Sequence, residues 1–139
     1  MIIDCHKVSG GSATGPALIT EDPISFLGTV DPNSGEVVDP NHELYGQNIK
    51  GKVLIFPEGK GSTVGSYVIY QLKKRGLAPA AMINLKSEAI VAVGAIISEI
   101  PLVDQVAEDI LSLDNGTMVT VNANDGFIEI CENEQCPTT

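Results

Sequence analysis

Tryptophan is absent, and aromatic residues make up only 4% of the chain. A platform that stacks bases or sugars needs aromatic faces, so this composition argues against one. The core must instead come from Val, Ile, Leu and Ala. Hydrophobic residues at 43% of 139 are enough to build it within a single domain. Long apolar runs are also missing. The longest, near 89–97, is too short to span a bilayer, and Met1-Ile2-Ile3 runs straight into Asp4 and His6 with no basic start leading into an apolar stretch. The expectation is a soluble, cytoplasmic protein with no membrane partner. Cysteine is scarce: Cys5, Cys131 and Cys136 do not make a disulfide framework. Cys131 and Cys136 have four residues between them, a spacing found in some iron–sulfur proteins, but further ligands are missing and free thiols are the favoured reading. No pair of His or carboxylates has metal-ligand spacing, so no metal residues are assigned, and His6 and His42 read as surface or structural residues.

Positive charge is in short supply too. Eight Lys and Arg stand against 18 Asp and Glu, a net charge of -10, which argues against a nucleic-acid partner because phosphate backbones demand basic surface. The few cations are clustered. Lys50, Lys52, Lys60, Lys73, Lys74 and Arg75 are six of the eight, whereas ten acids and no cation follow Lys86. Two readings compete: a basic helix end beside a solubilising acidic half, or a middle segment that faces an anionic substrate. The first is favoured on charge alone.

Alternation over 2–8 predicts a first strand, and the glycines of 10–16 are expected to break it. Further strands are expected at 17–19 and 24–30, and turns through 31–41 with their Asp31-Pro32, Ser34-Gly35 and Asp39-Pro40 pairs. Residues 52–56 form a continuous apolar run, as in strands buried on both faces. A tight loop, 57–62, then leads into a predicted helix over 63–75. Val64, Val68 and Leu72, with Tyr67 beside them, give its apolar stripe, Lys73–Arg75 sit in its last turn, and Gly76 stands at the C-cap. A strand at 80–84 completes a parallel crossover. Residues 88–97 fit either a buried strand or a short helix. Leu113–Gly116 is a turn, 117–121 and 127–131 flank Asp125-Gly126 as a hairpin, and 132–139 read as a flexible tail. With no repeat or linker, the expectation is a single mixed α/β domain over 1–139.

The loop carries the chemistry. Gly59, Lys60, Gly61, Ser62 and Thr63 lie between a buried strand and a helix N-terminus, where glycines allow close approach, N–H groups point at a ligand and Lys60 adds a charge. That combination suits a small anion. It is not a nucleotide P-loop, because Gly61 separates Lys60 from Ser62, and not a nucleophile elbow, because Gly61-Ser62-Thr63-Val64-Gly65 is out of register. Ser62 reads first as a helix N-cap. The sharper reading is an alkoxide favoured by surrounding N–H dipoles and Lys60, able to take a proton α to a carboxylate.

The segment Pro57-Glu58-Gly59-Lys60-Gly61-Ser62-Thr63, followed by Gly65-Ser66-Tyr67-Val68, resembles the swivel-domain small subunits of aconitase X. The likeness continues in 11–18, in 31–35 and 42–46, and in 78–81, 94–96 and 100–104. It implies a swivelling β/β/α domain and a larger partner subunit holding an iron–sulfur cluster, with none bound by this chain. It also implies an active site between the two subunits, with Ser62 as proton acceptor. The implied reaction is dehydration of 5-phosphomevalonate to trans-anhydromevalonate 5-phosphate. Gly59, Lys60, Gly61 and Thr63 become substrate-binding candidates, with Ser12, Ala13 and Thr14 as a second set. Three other readings stay open: a subunit of a hydroxyproline-type dehydratase, a non-catalytic swivelling module that binds an anionic metabolite, and a self-associating assembly protein.

Overall fold

The computed structural model describes residues 2–60 and 64–130. The expectations for Gly61, Ser62 and Thr63, for Cys131 and Cys136, and for the tail from Glu132 lie outside the described residues. Eight strands form one sheet in the order β1-β8-β7-β3-β4-β5-β6-β2. The first strand of the sequence is in fact two, β1 (Ile2–Asp4) and β2 (His6–Ser9), separated by Cys5. β1 pairs with β8 (Phe127–Ile130) and β2 pairs with β6 (Leu102–Asp104), both antiparallel, so the two outer strands of the sheet are consecutive pieces of one N-terminal segment.

The expected glycine break at 10–16 is instead the first half of β3 (Ser12–Ile19). This strand serves two neighbours: Ser12–Pro16 pair antiparallel with β7 (Met118–Asn122), and Ala17–Ile19 pair parallel with β4 (Val53–Phe56). Pro16 is tolerated because Ala17 donates its N–H toward β7, at Thr117 O, so the missing N–H of Pro16 faces the other side, where the β4 ladder begins only at Ala17. Gly15 is required there, because a Cβ would lie 2.7 Å from Gly51 O. The strand expected at 24–30 is also corrected. Ile24 makes a single bridge to Gly59, and α1 (Phe26–Thr29) is one turn distorted at Leu27 and Gly28. Gly28, at φ +92°, turns the chain out of extended geometry.

β4, β5 (Ala81–Asn84) and β6 run parallel. α2 (Val64–Lys74) links β4 to β5, and α3 (Ala89–Ser98) links β5 to β6, which settles 88–97 as helix. Alternation along the strands builds three layers. Leu54, Phe56 and Met82 face Val68, Ile69 and Leu72 of α2 and Val91 and Ala95 of α3. Val53, Ile55, Ala81 and Ile83 face Val119 and Val121 of β7 and Ile128 and Ile130 of β8, with Val106 and Ile110 of the 3₁₀ segment Glu108–Ser112. This is the expected β/β/α arrangement, and it explains why the β4 residues are buried on both sides.

The stripe of α2 differs from the predicted one. Gly65, Val68, Ile69 and Leu72 are buried, whereas Val64 and Tyr67 are 46% and 58% exposed. The helix is turned to suit α3: a Cβ on Gly94 would lie 2.7 Å from Ile69 Cδ1 and 3.1 Å from Ser66 Cα, so the two helices meet across glycine. α2 ends as expected. Gly76, at φ +71°, donates to Lys73 O at 3.1 Å, and Leu77 donates to Leu72 O at 2.9 Å, a Schellman ending.

Candidate active site

The C-terminal ends of β4 and β5 release the two loops that frame the candidate site. Beyond Phe56 the chain turns at Pro57, whose carbonyl accepts from the N–H groups of both Leu85 and Lys86, at 3.0 and 3.2 Å. The exit of β4 and the exit of β5 are therefore tied together. From the other side, Ile24 donates to Glu58 O at 3.2 Å and Lys60 donates to Ile24 O at 3.0 Å, so residues 58–60 are held as a short extended piece. Gly59 is buried at its centre. A Cβ there would sit 2.3 Å from Val91 Cγ2 and 3.0 Å from Glu88 Oε1, so glycine is needed to bring this loop against the start of α3. Glu88 in turn caps α3, accepting from Ile90 N at 3.0 Å and Val91 N at 3.3 Å. Gly65 in the first turn of α2 has a packing reason as well, since its Cβ would lie 3.3 Å from Ile90 Cγ2.

Lys60 is exposed at the end of this clamp, and the chain enters α2 at Val64. Crossover topology runs α2 antiparallel to the strands, so its positive N-terminal end and Lys60 lie at the same end of the sheet. Lys86 is exposed on the neighbouring loop. This is the end where open parallel sheets bind ligands. The other cations of the middle segment are elsewhere. Lys50 and Lys52 precede β4 and Lys73, Lys74 and Arg75 close α2, so both groups lie at the opposite end, where Ala80 donates to Lys52 O at 2.8 Å. There they serve the scaffold. Lys52 Nζ donates to Asn48 O at 3.1 Å, Arg75 donates to Pro32 O at 3.0 Å and to Asn33 Oδ1, and Lys74 lies 5.6 Å from the Tyr70 ring centroid. The clustering of six cations in sequence is thus not a clustering around one ligand.

Ser12, Ala13 and Thr14 do not join the loop. They pair with Asn122, Val121 and Thr120 in the β7 ladder, and Thr14 and Thr120 share a hydroxyl hydrogen bond of 2.8 Å. Thr14 lies three residues before the start of the β4 pairing, about 20 Å along the strands from the level of Phe56 at 3.3 Å per residue.

A buried polar residue beside the loop is not singled out in the sequence analysis above. Asn84 ends β5 fully buried, and its Nδ2 donates to Phe56 O at 3.0 Å, holding the last residue of β4. Among the described residues its Oδ1 has no hydrogen-bond partner. A lone Asn closing an apolar strand was the available signal. His42 is buried and structural: Nε2 donates to Pro23 O at 3.1 Å while Nδ1 accepts from Leu44 N at 3.1 Å, pinning the 42–46 turn to the segment before Ile24. His6, on the surface, donates to Asp104 Oδ1 at 2.8 Å.

Among the described residues, no group of three or more His, Cys, Asp or Glu side chains is placed to hold a metal. Burial, and then the nearby carboxylates of Asp4 and Asp104, push the Cys5 thiol up to about 11, so it is held as a poor thiolate donor. No helix among the described residues is long and apolar enough to cross a membrane.

The fold is shared with known proteins. The chain is 73% identical, over 88% of its length and 90% of the relative's, to the phosphomevalonate dehydratase small subunit of Methanothrix thermoacetophila. It is 60% identical to the protein of the same name from Methanocella arvoryzae, over 94% of this chain and 99% of that one. The crystal structure of holo aconitase X from Thermococcus kodakaraensis superposes with a TM-score of 0.90 at 51% identity, covering 95% of this chain and 99% of that chain. The family model for the aconitase X swivel domain matches residues 2–130, and with these likenesses it shows that the chain belongs to the aconitase X swivel-domain family.

Proposed function

We propose that this chain is the small subunit of a two-subunit hydro-lyase that dehydrates 5-phosphomevalonate to trans-anhydromevalonate 5-phosphate. The observation that carries this reading is near full-length identity of 73% and 60% with small subunits named for that reaction. The geometry supports it from below. The loop with Lys60 and Ser62 follows a strand buried on both faces, and its described part is clamped by Ile24, Gly59 and the start of α3. A rigid mount of that kind suits a group that must meet one carbon of a substrate.

In the proposed reaction Ser62, as alkoxide, takes a proton from the carbon next to the carboxylate. The C–H electron pair becomes the new double bond, and hydroxide leaves the neighbouring carbon, so that water is lost overall. Lys60 and the N-terminal end of α2 favour the anionic forms of serine and substrate. Gly59, Gly61 and Thr63 shape the approach. The partner supplies the ligands for an iron–sulfur group and whatever draws off the hydroxide. A net charge of -10 sets the subunit apart from proteins that bind nucleic acid.

Reconstitution tests the reading. The purified chain and its cysteine-bearing large subunit, combined anaerobically, are offered 5-phosphomevalonate and, separately, a hydroxyproline. Water loss from the phosphorylated acid, by the mixture and by neither chain alone, is the expected result. Turnover of the hydroxyproline alone would reassign the substrate. Phosphomevalonate binding to the isolated chain without turnover in the mixture would make it a non-catalytic module.

A further inference from the structure

The α3 helix, Ala89–Ser98, contains no charged residue. Its sequence, apolar around nearly the whole circumference, is that of a helix covered on all sides. In this chain it is covered on one side only. Val91, Gly94, Ala95 and Ser98 are buried against the sheet and α2, whereas Val93, Ile96 and Ile97 are 50%, 53% and 52% exposed. The spacing i, i+3, i+4 puts those three side chains on one outward face. The face of α2 differs, with Lys73 and Lys74 reaching solvent in its last turn.

The position of this apolar face limits what covers it. α3 starts at the site: Glu88 and Val91 are the residues a Cβ on Gly59 would strike. On the other side of the loop, the first turn of α2 exposes Val64 and Tyr67. Both elements that flank the loop therefore expose apolar side chains, α2 in its first turn and α3 from Val93 onward. We propose that the outward face of α3, together with the first turn of α2, is the seat of the large subunit, which in docking is brought over Lys60. The inference rests on the reading of the chain as a small subunit, and not on which acid is dehydrated. The relatives named above are small subunits, so a larger chain exists to be seated. An uncharged helix face matches the apolar cores of permanent interfaces, from which charges are depleted.

The test uses the full chain and its purified large subunit. Val93→Glu and Ile97→Lys place a charge in the proposed contact without entering the core. Met118→Lys, at a residue 38% exposed on β7, is the control. By calorimetry, each α3 variant is expected to bind the large subunit about a hundredfold more weakly, and the control within about threefold of wild type. Wild-type affinity in both α3 variants overturns the proposal. Hydrogen exchange on the unaltered chain gives a second reading that no folding defect can confuse. Slower exchange across 89–98 on adding the large subunit supports the assignment, and unchanged exchange there overturns it. A dimer of the chain alone that Val93→Glu dissociates gives the face to a second copy and also overturns it. Failure of the functional reading looks different: a complex that forms through α3 yet removes no water from 5-phosphomevalonate sinks that reading and leaves the surface in place.

Discussion

The two ends of the parallel strands are built from similar residue types and do different work. At the N-terminal ends, Lys50, Lys52, Lys73, Lys74 and Arg75 gather, and the described contacts of three of them are with backbone carbonyls, a side-chain amide or an aromatic ring of the scaffold. At the C-terminal ends the cations are fewer, Lys60 and Lys86, but they stand on loops locked together through Pro57 and Gly59. Charge density does not mark the site. What marks it is backbone fixed at the point where strands give way to helix N-termini.

The strongest way to sharpen this contrast is to remove the hydroxyl from the fixed end. In the reconstituted complex, Ser62→Ala is expected to lower kcat by about 10²–10⁴-fold with the complex still assembled, as for the loss of a general base. Full activity in that variant ends the role proposed for Ser62. The acidic surroundings of the same end give a chemical handle. The Cys5 pKa is raised from 9.0 to about 11, so folding favours the protonated thiol. Its contribution to stability is fully present below pH 9 and is lost as pH rises through 11. At pH 8, alkylation of Cys5 in the folded chain, read by peptide mapping, should be about a hundredfold slower than in the unfolded chain. Equal rates would show that Asp4, Asp104 and burial do not act on it as described.

Packing is the next lever. Gly59→Ala drives a methyl into Val91 and should destabilise the chain by about 1–3 kcal/mol, lowering the melting temperature by several degrees. No shift would mean that the loop is looser than the clamp implies. The smallest effect compares the cations directly. Lys60→Ala should raise KM for the anionic substrate about tenfold, the usual loss for one charge-assisted contact, while Lys50→Ala leaves KM unchanged. Equal effects at the two ends would break the comparison.

Much of this was legible in the sequence, for identifiable reasons. The β4–loop–α2 unit and its glycine ending follow from local chemistry: an unbroken apolar run, a basic last turn and Gly76. The terminal hairpin was equally clear from Asp125-Gly126. The failures came from tertiary context. Ser12–Pro16 carries turn-like residues but lies in a strand, because β7 supplies a partner on one side while Pro16 points its missing donor to the other. Val64 and Tyr67 fit a helical stripe, yet Gly65 and Gly94 turn α2 so that it packs closely on α3. The ambiguity over 88–97 had a physical origin as well: a helix with no charged face gives no periodic signal. At the candidate site, glycine, lysine and serine before a helix are what singled out the loop. The support from Asn84 and Ile24 was missed, since neither residue is near the loop in sequence.

The N-terminal segment carries a consequence for how the molecule is made. Residues 2–9 are made long before their partners, because β2 pairs with 102–104 and β1 with 127–129. Until those partners have been made, β2 and β1 stand unpaired and both flanks of the growing sheet stay open. Contacts this far apart in sequence slow folding. A chain stopped short of β8 would leave at least one flank unpaired, free to recruit another nascent chain.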